Sequence, residues 1–368
     1  MKVCHFTSAH ESNDIRVFIK ECRSLAKAGH DTWLVAQGES REEDGVHVIG
    51  MGKLPFGRRE RMTVFAKSVY KKALELDCDI YHFHDPELLR YGLKLKKKGK
   101  KVIYDSHEDV PSQIKDKTWI PAPFRKLVSG VYKAYETLVV RHLDAVVAAT
   151  PYIKEQFRGR VRRAATICNY PILEGIQDPV DYDARKLMLG YTGIRCAEDR
   201  GAREMVEAAV AANVRLDIYG TMEPETLQQE LSKKDDQGVV HFHGLVPYPE
   251  LQESMANMKI GLLVEHPTAN AMNALCIKMF EYMAHGMVII SSDIPLWKEI
   301  IEDADCGVCV DPYDVKAITE VIRRLAADPA GCRVMAMNGF RTVKKKYSWE
   351  SEARKLCRLY ERLGSDKG

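Results

Sequence analysis

No apolar run in the chain approaches the roughly 20 residues that a membrane span requires. The opening MKVCHFTSAH also lacks the long apolar stretch of a signal peptide, so a cytosolic protein is expected. A disulfide pattern is missing as well. The ten cysteines, scattered from Cys4 to Cys357, mostly fall inside apolar segments, where reduced cysteine packs as a small hydrophobe. Cys306 and Cys309 form a close pair, but with no second pair and no histidine cluster they point to a structural role rather than to zinc. Charge is nearly balanced, and a formal net charge of +3 argues against a general nucleic-acid binder. No G-x-G-x-x-G follows the first expected strand of either half, which weakens a dehydrogenase reading. Short repeats and low-complexity segments are lacking too.

What is present is an alternation. With 368 residues and 45% hydrophobic content, the chain has core enough for two domains of ordinary size. Strand-like apolar runs alternate with helical periodicity throughout, the signature of an α/β chain with parallel sheets. The first half offers strands at Val3–Phe6, Thr32–Ala36, His47–Met51, Ile80–His84, Val102–Asp105 and Ala145–Ala149. Ile15, Phe18, Ile19, Cys22, Leu25 and Ala26 repeat at helical spacing, with Gly29 as the stop. Glu174 to Lys186 has no sustained apolar periodicity and reads as a linker. A second alternation follows at Leu187–Thr192, Arg215–Tyr219, Val239–Phe242, Ile260–Val264, Met287–Ile290 and Val308–Val310. Its helices include Tyr313–Ala327, and a last helix, Trp349–Leu363, carries Leu356, Leu359, Tyr360 and Leu363 on one face. The expected organisation is a domain over 1–172, a second over 187–348, and a terminal helix over 349–368 that packs back on the first. Two doubly wound domains facing across a cleft would turn their strand carboxyl ends, where α/β proteins bind ligands, toward each other.

The segment from Asn270 to Ser292 is the most informative. Asn273 suits a helix N-cap, Ala274 to His285 reads as helix, Gly286 suits the position after it, and Met287 to Ile290 forms an apolar strand. The amides of Ala274, Leu275 and Cys276 would then point outward, and a helix start favours phosphate through its unpaired N–H donors and partial positive charge. Lys278 and Glu281, three apart, share a face one turn deeper. Lys278 is placed to meet phosphate charge while Glu281 accepts from a pair of ribose hydroxyls. The same residues also fit an amphipathic helix with a surface ion pair.

Other loops carry chemistry at strand ends. In Thr192-Gly-Ile-Arg-Cys-Ala-Glu-Asp-Arg-Gly201, Gly193 permits close approach of backbone to ligand, and Arg195 and Arg200 supply two fixed positive charges. In the first half, Tyr81-His-Phe-His-Asp-Pro86 and Tyr104-Asp-Ser-His-Glu-Asp109 leave buried strands together, which is costly unless a ligand site uses them. His107 and Asp85 are the first candidates there, while His82, on the same side of its strand as His84, equally suits the core. His10-Glu-Ser-Asn-Asp14 follows the first strand, with Ser12 or Asn13 as the helix cap. Lys94 to Lys101 packs six lysines into eight positions, and Phe56-Gly-Arg-Arg-Glu-Arg61 sets three arginines beside an aromatic. Such clusters attract an anionic bilayer at about 1 kcal/mol per basic side chain, or they are the solvated ends of a helix and a loop.

Taken together, these features resemble the retaining glycosyltransferases of GT-B fold, specifically the large family 4 of nucleotide-sugar-dependent enzymes. The resemblance covers nearly the whole chain. It rests on Gly193 through Arg200-Gly201, on Lys278-Met-Phe-Glu-Tyr-Met-Ala-His-Gly286 followed by Val-Ile-Ile-Ser, and on Tyr347-Ser-Trp349 before the terminal helix. His10 with Asp14-Ile-Arg16, and Asp105-Ser-His-Glu108, are similar to a branch working on cell-surface polysaccharides. The resemblance implies that Arg200 binds donor diphosphate, Glu281 binds nucleotide ribose, and His107 stands beside the donor sugar. Arg195 lies one position from the family's usual arginine, where this chain has Ile194. Asn273 replaces the first of two glutamates that the family sets eight apart; its amide still contacts sugar hydroxyls but carries no charge. The stretch from Gly244 to Tyr248, with Val246 at its centre, is expected to line the base pocket through backbone groups.

The implied activity is transfer of a sugar, with retained anomeric configuration, from a nucleotide diphosphate carrier, UDP by family frequency, to a glycan or lipid-linked acceptor in cell-surface polysaccharide synthesis. The departing diphosphate needs cations and amides around it. Arg195, Arg200, Lys278 and the amides at 274–276 would supply them without a divalent metal, and no Asp-x-Asp motif is positioned to hold one. No cofactor is required beyond the donor itself. The basic clusters would dock a cytoplasmic enzyme on the anionic inner membrane face. Two alternatives stay open: a nucleotide-sugar epimerase of the same fold, and a catalytically silent nucleotide-sugar-binding subunit.

Overall fold

The computed structural model describes residues 1–53, 57–117, 120–176, 178–179, 182–269 and 271–365. Phe56 of the arginine-rich loop and Asn270 lie outside the described residues. The chain forms two compact units, one of Met1–Asn169 with Trp349–Gly368 and one of Tyr170–Ser348.

The first unit holds β1 (Lys2–Glu11), β2 (Asp31–Gln37), β3 (Arg41–Glu43), β4 (Val46–Gly50), β5 (Ile80–Phe83), β6 (Lys101–Ser106), β7 (Ala145–Ala148) and β8 (Ala164–Thr166). Their order across the sheet is β3-β4-β2-β1-β5-β6-β7-β8, with β3 antiparallel to β4 and the other pairs parallel. The second unit holds β9 (Leu189–Ala197), β10 (Leu216–Glu223), β11 (Val240–Gly244), β12 (Ile260–Leu263), β13 (Val288–Ser292) and β14 (Gly307–Val310). These run β11-β10-β9-β12-β13-β14, all parallel. In each unit the first strand lies centrally and the order reverses beside it, between β1 and β5 and between β9 and β12. In doubly wound sheets ligands bind outside the strand carboxyl ends at that reversal.

The central strands are buried on both faces, which accounts for their continuous apolar runs: Val288, Ile289 and Ile290 of β13 are all buried. Each such side chain contributes about 1.5–3 kcal/mol by leaving water. The unforeseen strands, β3 and β8, have three residues each, too few to show a period. The strand β9 runs past its expected end at Thr192 because Thr221, Met222 and Glu223 continue to pair with Arg195, Cys196 and Ala197 after a register shift. Two glycines permit the shift. A Cβ on Gly220, whose φ is 140°, would stand 2.4 Å from the Gly193 carbonyl oxygen. Gly193 and Arg195 therefore sit within a strand rather than in a loop.

Three local expectations are revised. The helical segment Ile15–Cys22 is capped by Asp14, whose Oδ1 accepts from the amides of Arg16 and Val17 at 2.8 Å each. Ser12 is engaged elsewhere, accepting from Arg41 Nη1 at 2.8 Å. The stretch from Glu174 to Lys186 is part of the second unit rather than a free tether. There Tyr182 is buried, and Arg185 Nη1 donates to the carbonyls of Met258, His285 and Gly286 at 3.1, 2.8 and 3.1 Å. The helix expected from Ala274 begins only at Ile277 and runs to Ala284, with Cys276 as its N-cap residue. Before it, Ala271–Asn273 closes a single tight turn in which the Ala274 amide donates to the Ala271 carbonyl at 3.3 Å. The Trp297 indole donates to the Ala274 carbonyl at 2.8 Å, holding it out of the helical ladder.

The terminal helix Trp349–Ser365 belongs to the first unit. Its Trp349 indole donates to Ser24 Oγ at 2.9 Å, and Leu356, Leu359, Tyr360 and Leu363 are buried.

Candidate functional site

In the second unit the reversal between β9 and β12 carries a charged cluster. Glu265 lies two residues past β12 and is 2% exposed, a buried carboxylate at a central strand end. Its Oε1 accepts from Lys278 Nζ at 2.6 Å and its Oε2 from Arg200 Nη1. One carboxylate thus separates two cations that would otherwise repel. Lys278 also lies over the Tyr191 ring, 4.5 Å from its centroid, and reaches the Tyr191 hydroxyl at 3.3 Å. Burial opposes the charge on Lys278, but Cys276, Tyr191 and Glu265 outweigh it and hold the ammonium above the usual lysine range. Burial raises the Tyr191 phenol to about 12 against the pull of Lys278. Arg200 is likewise raised, its desolvation outweighed by Glu265.

Gly201 positions Arg200. It adopts φ 73°, and a Cβ there would lie 2.1 Å from the Val264 carbonyl oxygen, so only glycine lets the loop after β9 approach the end of β12. Arg195 points to a different pair of partners, Asp199 at 2.8 Å and Glu223 at 3.3 Å. Glu281, one turn beyond Lys278, does not pair with it; its Oε1 accepts from the Tyr248 hydroxyl at 3.4 Å. Tyr248 opens the helix that follows β11, and Val246 lies in the connector between them. The structure therefore brings Arg200 and Lys278 together on Glu265, and Glu281 beside the segment that contains Val246.

The revised helix start changes the expected anion cradle. The first-turn amides are those of Ile277 and Lys278, while Leu275 and Cys276 precede the helix and the Ala274 amide is already bonded. Asn273 is exposed in the preceding turn and is not the N-cap; its Nδ2 makes a long contact of 3.4 Å to the Ala269 carbonyl.

In the first unit the corresponding reversal gathers residues from the ends of β1, β5 and β6. Asp85, 2% exposed, accepts at Oδ2 from Thr7 Oγ1, the Ser8 and Ala9 amides and Ser8 Oγ, at 2.6–3.2 Å. These bonds tie β5 to the end of β1. His107 Nε2 lies 3.0 Å from Asp105 Oδ2, and donation there leaves Nδ1 as the acceptor. Asp105 in turn receives Arg16 Nε and Nη2 at 3.0 Å each. Burial works against the Asp105 carboxylate, but Arg16 and His107 hold it well below the usual range. His10 stands edge-on to His107, centroids 5.1 Å apart, and bonds Asp14 at 3.0 Å.

Behind this surface lies a buried chain of imidazoles. His5 Nδ1 meets His84 Nε2 at 3.0 Å, and the Tyr360 hydroxyl meets His5 Nε2 at 3.0 Å and His82 Nδ1 at 2.9 Å. Burial lowers the pKa of His5, His82 and His84, so they are neutral at pH 7. His82 is thus a core residue. His5, Glu21, His82 and His84 form a group of metal-ligand type with atoms within 4.8 Å of one another, as do His84, Asp105 and His107. The His5, His82 and His84 nitrogens named above are already bonded to each other and to Tyr360.

Residues 16–169 match the family described as Glycosyltransferase Family 4, and residues 197–328 match that described as Glycosyl transferases group 1, together well over half of the chain. The chain belongs to glycosyltransferase family 4. It is 27% identical over 158 residues to an MMP alpha-(1->4)-mannosyltransferase of Mycolicibacterium hassiacum, a match covering 42% of this chain and 36% of that relative. Among solved structures it resembles a sucrose-phosphate synthase from Thermosynechococcus elongatus, with TM-score 0.76, 18% identity and coverage of 99% and 100% of the two chains. It also resembles Anabaena Alr3699/HepE in complex with UDP, with TM-score 0.73, 12% identity and coverage of 98% and 100%. At these identities the structural likeness establishes the GT-B fold of this family 4 member.

Sequence reasoning missed Glu265. Its signal was present, since an acidic residue leaving the end of a central apolar strand is the feature that drew attention to Asp85. Tyr191 was missed for the opposite reason: it lies inside a strand, and only the fold shows that Lys278 packs on it.

Proposed function

We propose that the chain is a retaining glycosyltransferase using a UDP-sugar, with a glycan or lipid-linked acceptor of cell-surface polysaccharide synthesis, working on the cytoplasmic membrane face. The observation that carries the reading is the convergence of Arg200 and Lys278 on Glu265 at the β9/β12 reversal. Two cations held apart by a single buried carboxylate, beside a helix start, are suited to the leaving diphosphate. Arg200 and Lys278 would take the charge that develops as the bond to the anomeric carbon breaks. Arg195, already shared between two carboxylates, would contribute from the flank. Glu281 and the Tyr248 hydroxyl are suited to ribose hydroxyls, and Val246 to the base. The Anabaena protein of the same fold is in complex with UDP, which supports that carrier.

In the first unit His107, oriented by Asp105, would hydrogen-bond the donor sugar through Nδ1, and Asp85 would fix the strand ends beside it. Asn273 would contact sugar hydroxyls without adding charge. Under retention the acceptor hydroxyl attacks from the leaving-group side and the departing phosphate takes its proton, so paired carboxylates of the glycosidase kind are not called for. The Asp105–Arg16 lock suits that role, because it keeps Asp105 ionised and the His107 tautomer fixed.

The test is a thermal-shift screen of nucleotide diphosphates and nucleotide sugars, since a ligand that binds only the native state raises its stability by mass action. UDP or a UDP-sugar should stabilise the protein, and Glu281→Ala or Arg200→Ala should remove most of the effect. An unchanged shift in both variants would move the donor site elsewhere. Acceptor-dependent UDP release excludes the epimerase, and donor turnover by the isolated chain excludes the silent subunit.

A further inference from the structure

The helix Ala122–Val140 in the first unit is turned inside out. Phe124, Leu127, Val131 and Leu138 are 56%, 65%, 62% and 62% exposed, and Val128 and Tyr135 lie beside them in the same solvent-facing stripe. Steps of three and four residues put 124, 127, 131, 135 and 138 along one face. Two polar residues of the helix, Ser129 and Glu136, are buried on its inward side. Ser129 Oγ donates to the Pro111 carbonyl at 2.6 Å, and buried Glu136 pairs with Arg160 at 2.6 Å. Ser129, Lys133 and Glu136 line a polar cavity with Glu108, Asp109 and Arg160, which explains why polar groups occupy the protein side. Nothing in the core accounts for the apolar side, and a contiguous stripe of large apolar residues marks an interaction surface.

Met62 and Val64 of the segment Arg61–Phe65 are exposed as well. Arg90 links this segment to the helix: its Nη2 donates to the Met62 carbonyl at 3.0 Å, and its charge acts on the Tyr135 phenol. Charge selects the occupant. The helix has one acid, the buried Glu136, so its exposed charges, Lys126 and Lys133, are both positive, and Arg59 and Arg141 are exposed nearby in the sequence. A second copy docking here would oppose like charges, whereas an anionic bilayer meets apolar and basic groups together. Among the described residues no helix is long and apolar enough to cross a membrane, so this one would lie in the interface. The Lys94–Lys101 cluster is less available than its sequence suggested, because Lys96 pairs with Asp144 at 2.7 Å and Lys100 with Asp77 at 2.6 Å.

We propose that the Ala122–Val140 helix, with Met62 and Val64, is the surface by which the protein docks on an anionic lipid bilayer. This deepens the reading of a membrane-docked transferase and rests on it for its biological sense. The test is co-sedimentation of the full chain with phosphatidylcholine vesicles, with and without phosphatidylglycerol, at low and high salt. Binding is expected only with phosphatidylglycerol and to weaken with salt. Leu127→Glu/Val131→Glu should weaken it at least about ten-fold, and Lys126→Glu/Lys133→Glu several-fold at low salt. Both variants should keep the wild-type UDP thermal shift, which shows that they fold and separates this surface from the donor site. The proposal is overturned if wild type ignores phosphatidylglycerol vesicles at low salt, or if Leu127→Glu/Val131→Glu binds them as wild type does. It is also overturned if the stripe instead makes a concentration-dependent dimer that this variant abolishes. A missing UDP shift with vesicle binding intact would sink the donor reading and leave the docking surface standing.

Discussion

Replacing Glu265 by glutamine isolates the role of its charge, because the side chain keeps its shape while Arg200 and Lys278 lose their shared anion. Removing one partner of a buried ion pair costs about 3–5 kcal/mol, chiefly by leaving the other charge uncompensated. Lys278 is 14% exposed but Arg200 is 32% exposed, so water recovers part of the loss and about 2–3 kcal/mol is expected. For a unit of this size each kcal/mol moves the midpoint by about 2–4 °C, so Glu265→Gln should melt about 4–12 °C lower in the absence of nucleotide. Saturating UDP should then stabilise the variant more than wild type, since its phosphates replace the missing anion. Differential scanning fluorimetry of both proteins with and without UDP reads all four states. A fall of less than about 1 °C would refute the charge argument. A UDP shift that shrinks in the variant would show that Glu265 serves the ligand rather than balancing the cations.

Two further outcomes follow from geometry and charge. Gly201→Ala should lower stability by more than about 2 kcal/mol and weaken the UDP shift, because the new Cβ meets backbone rather than a flexible side chain; a wild-type melting curve would contradict this. Acid should destabilise the first unit, because His5, His82 and His84 have lowered folded pKa values, so their stability is complete above about pH 6.5 and is lost as pH falls below it. Glu21, raised by burial, and His10, raised against its burial by Asp14 and Asp85, oppose part of this loss. Urea midpoints that stay flat from pH 7.5 to about 5.5 would show the imidazoles to be charged or solvated in the native state.

Architecture was legible because parallel strands buried on both faces leave continuous apolar runs, and each of the twelve expected strands overlaps an observed one. Boundaries were less so. The extension of β9 depends on a register shift that Gly193 and Gly220 permit only when β10 is alongside. Asn273 is a good cap residue by local preference, yet a tertiary bond from Trp297 set the helix start elsewhere. Arg200 and Lys278 could be named from sequence, while their meeting point, Glu265, is 65 and 13 residues away from them along the chain. The inverted polarity of Ala122–Val140 is invisible in a helical period, which shows two faces but not which of them meets the protein.

Because Tyr360 supplies the hydroxyl between His5 and His82, the chain's last turns complete a structure begun by its first strand. During synthesis the amino-terminal unit stays incomplete until residues 349–365 have emerged to bring Tyr360 to His5 and His82. A prematurely terminated product would expose that unfinished interior to chaperones and proteases, and any chimera exchanging the front half must carry residues 349–365 with it.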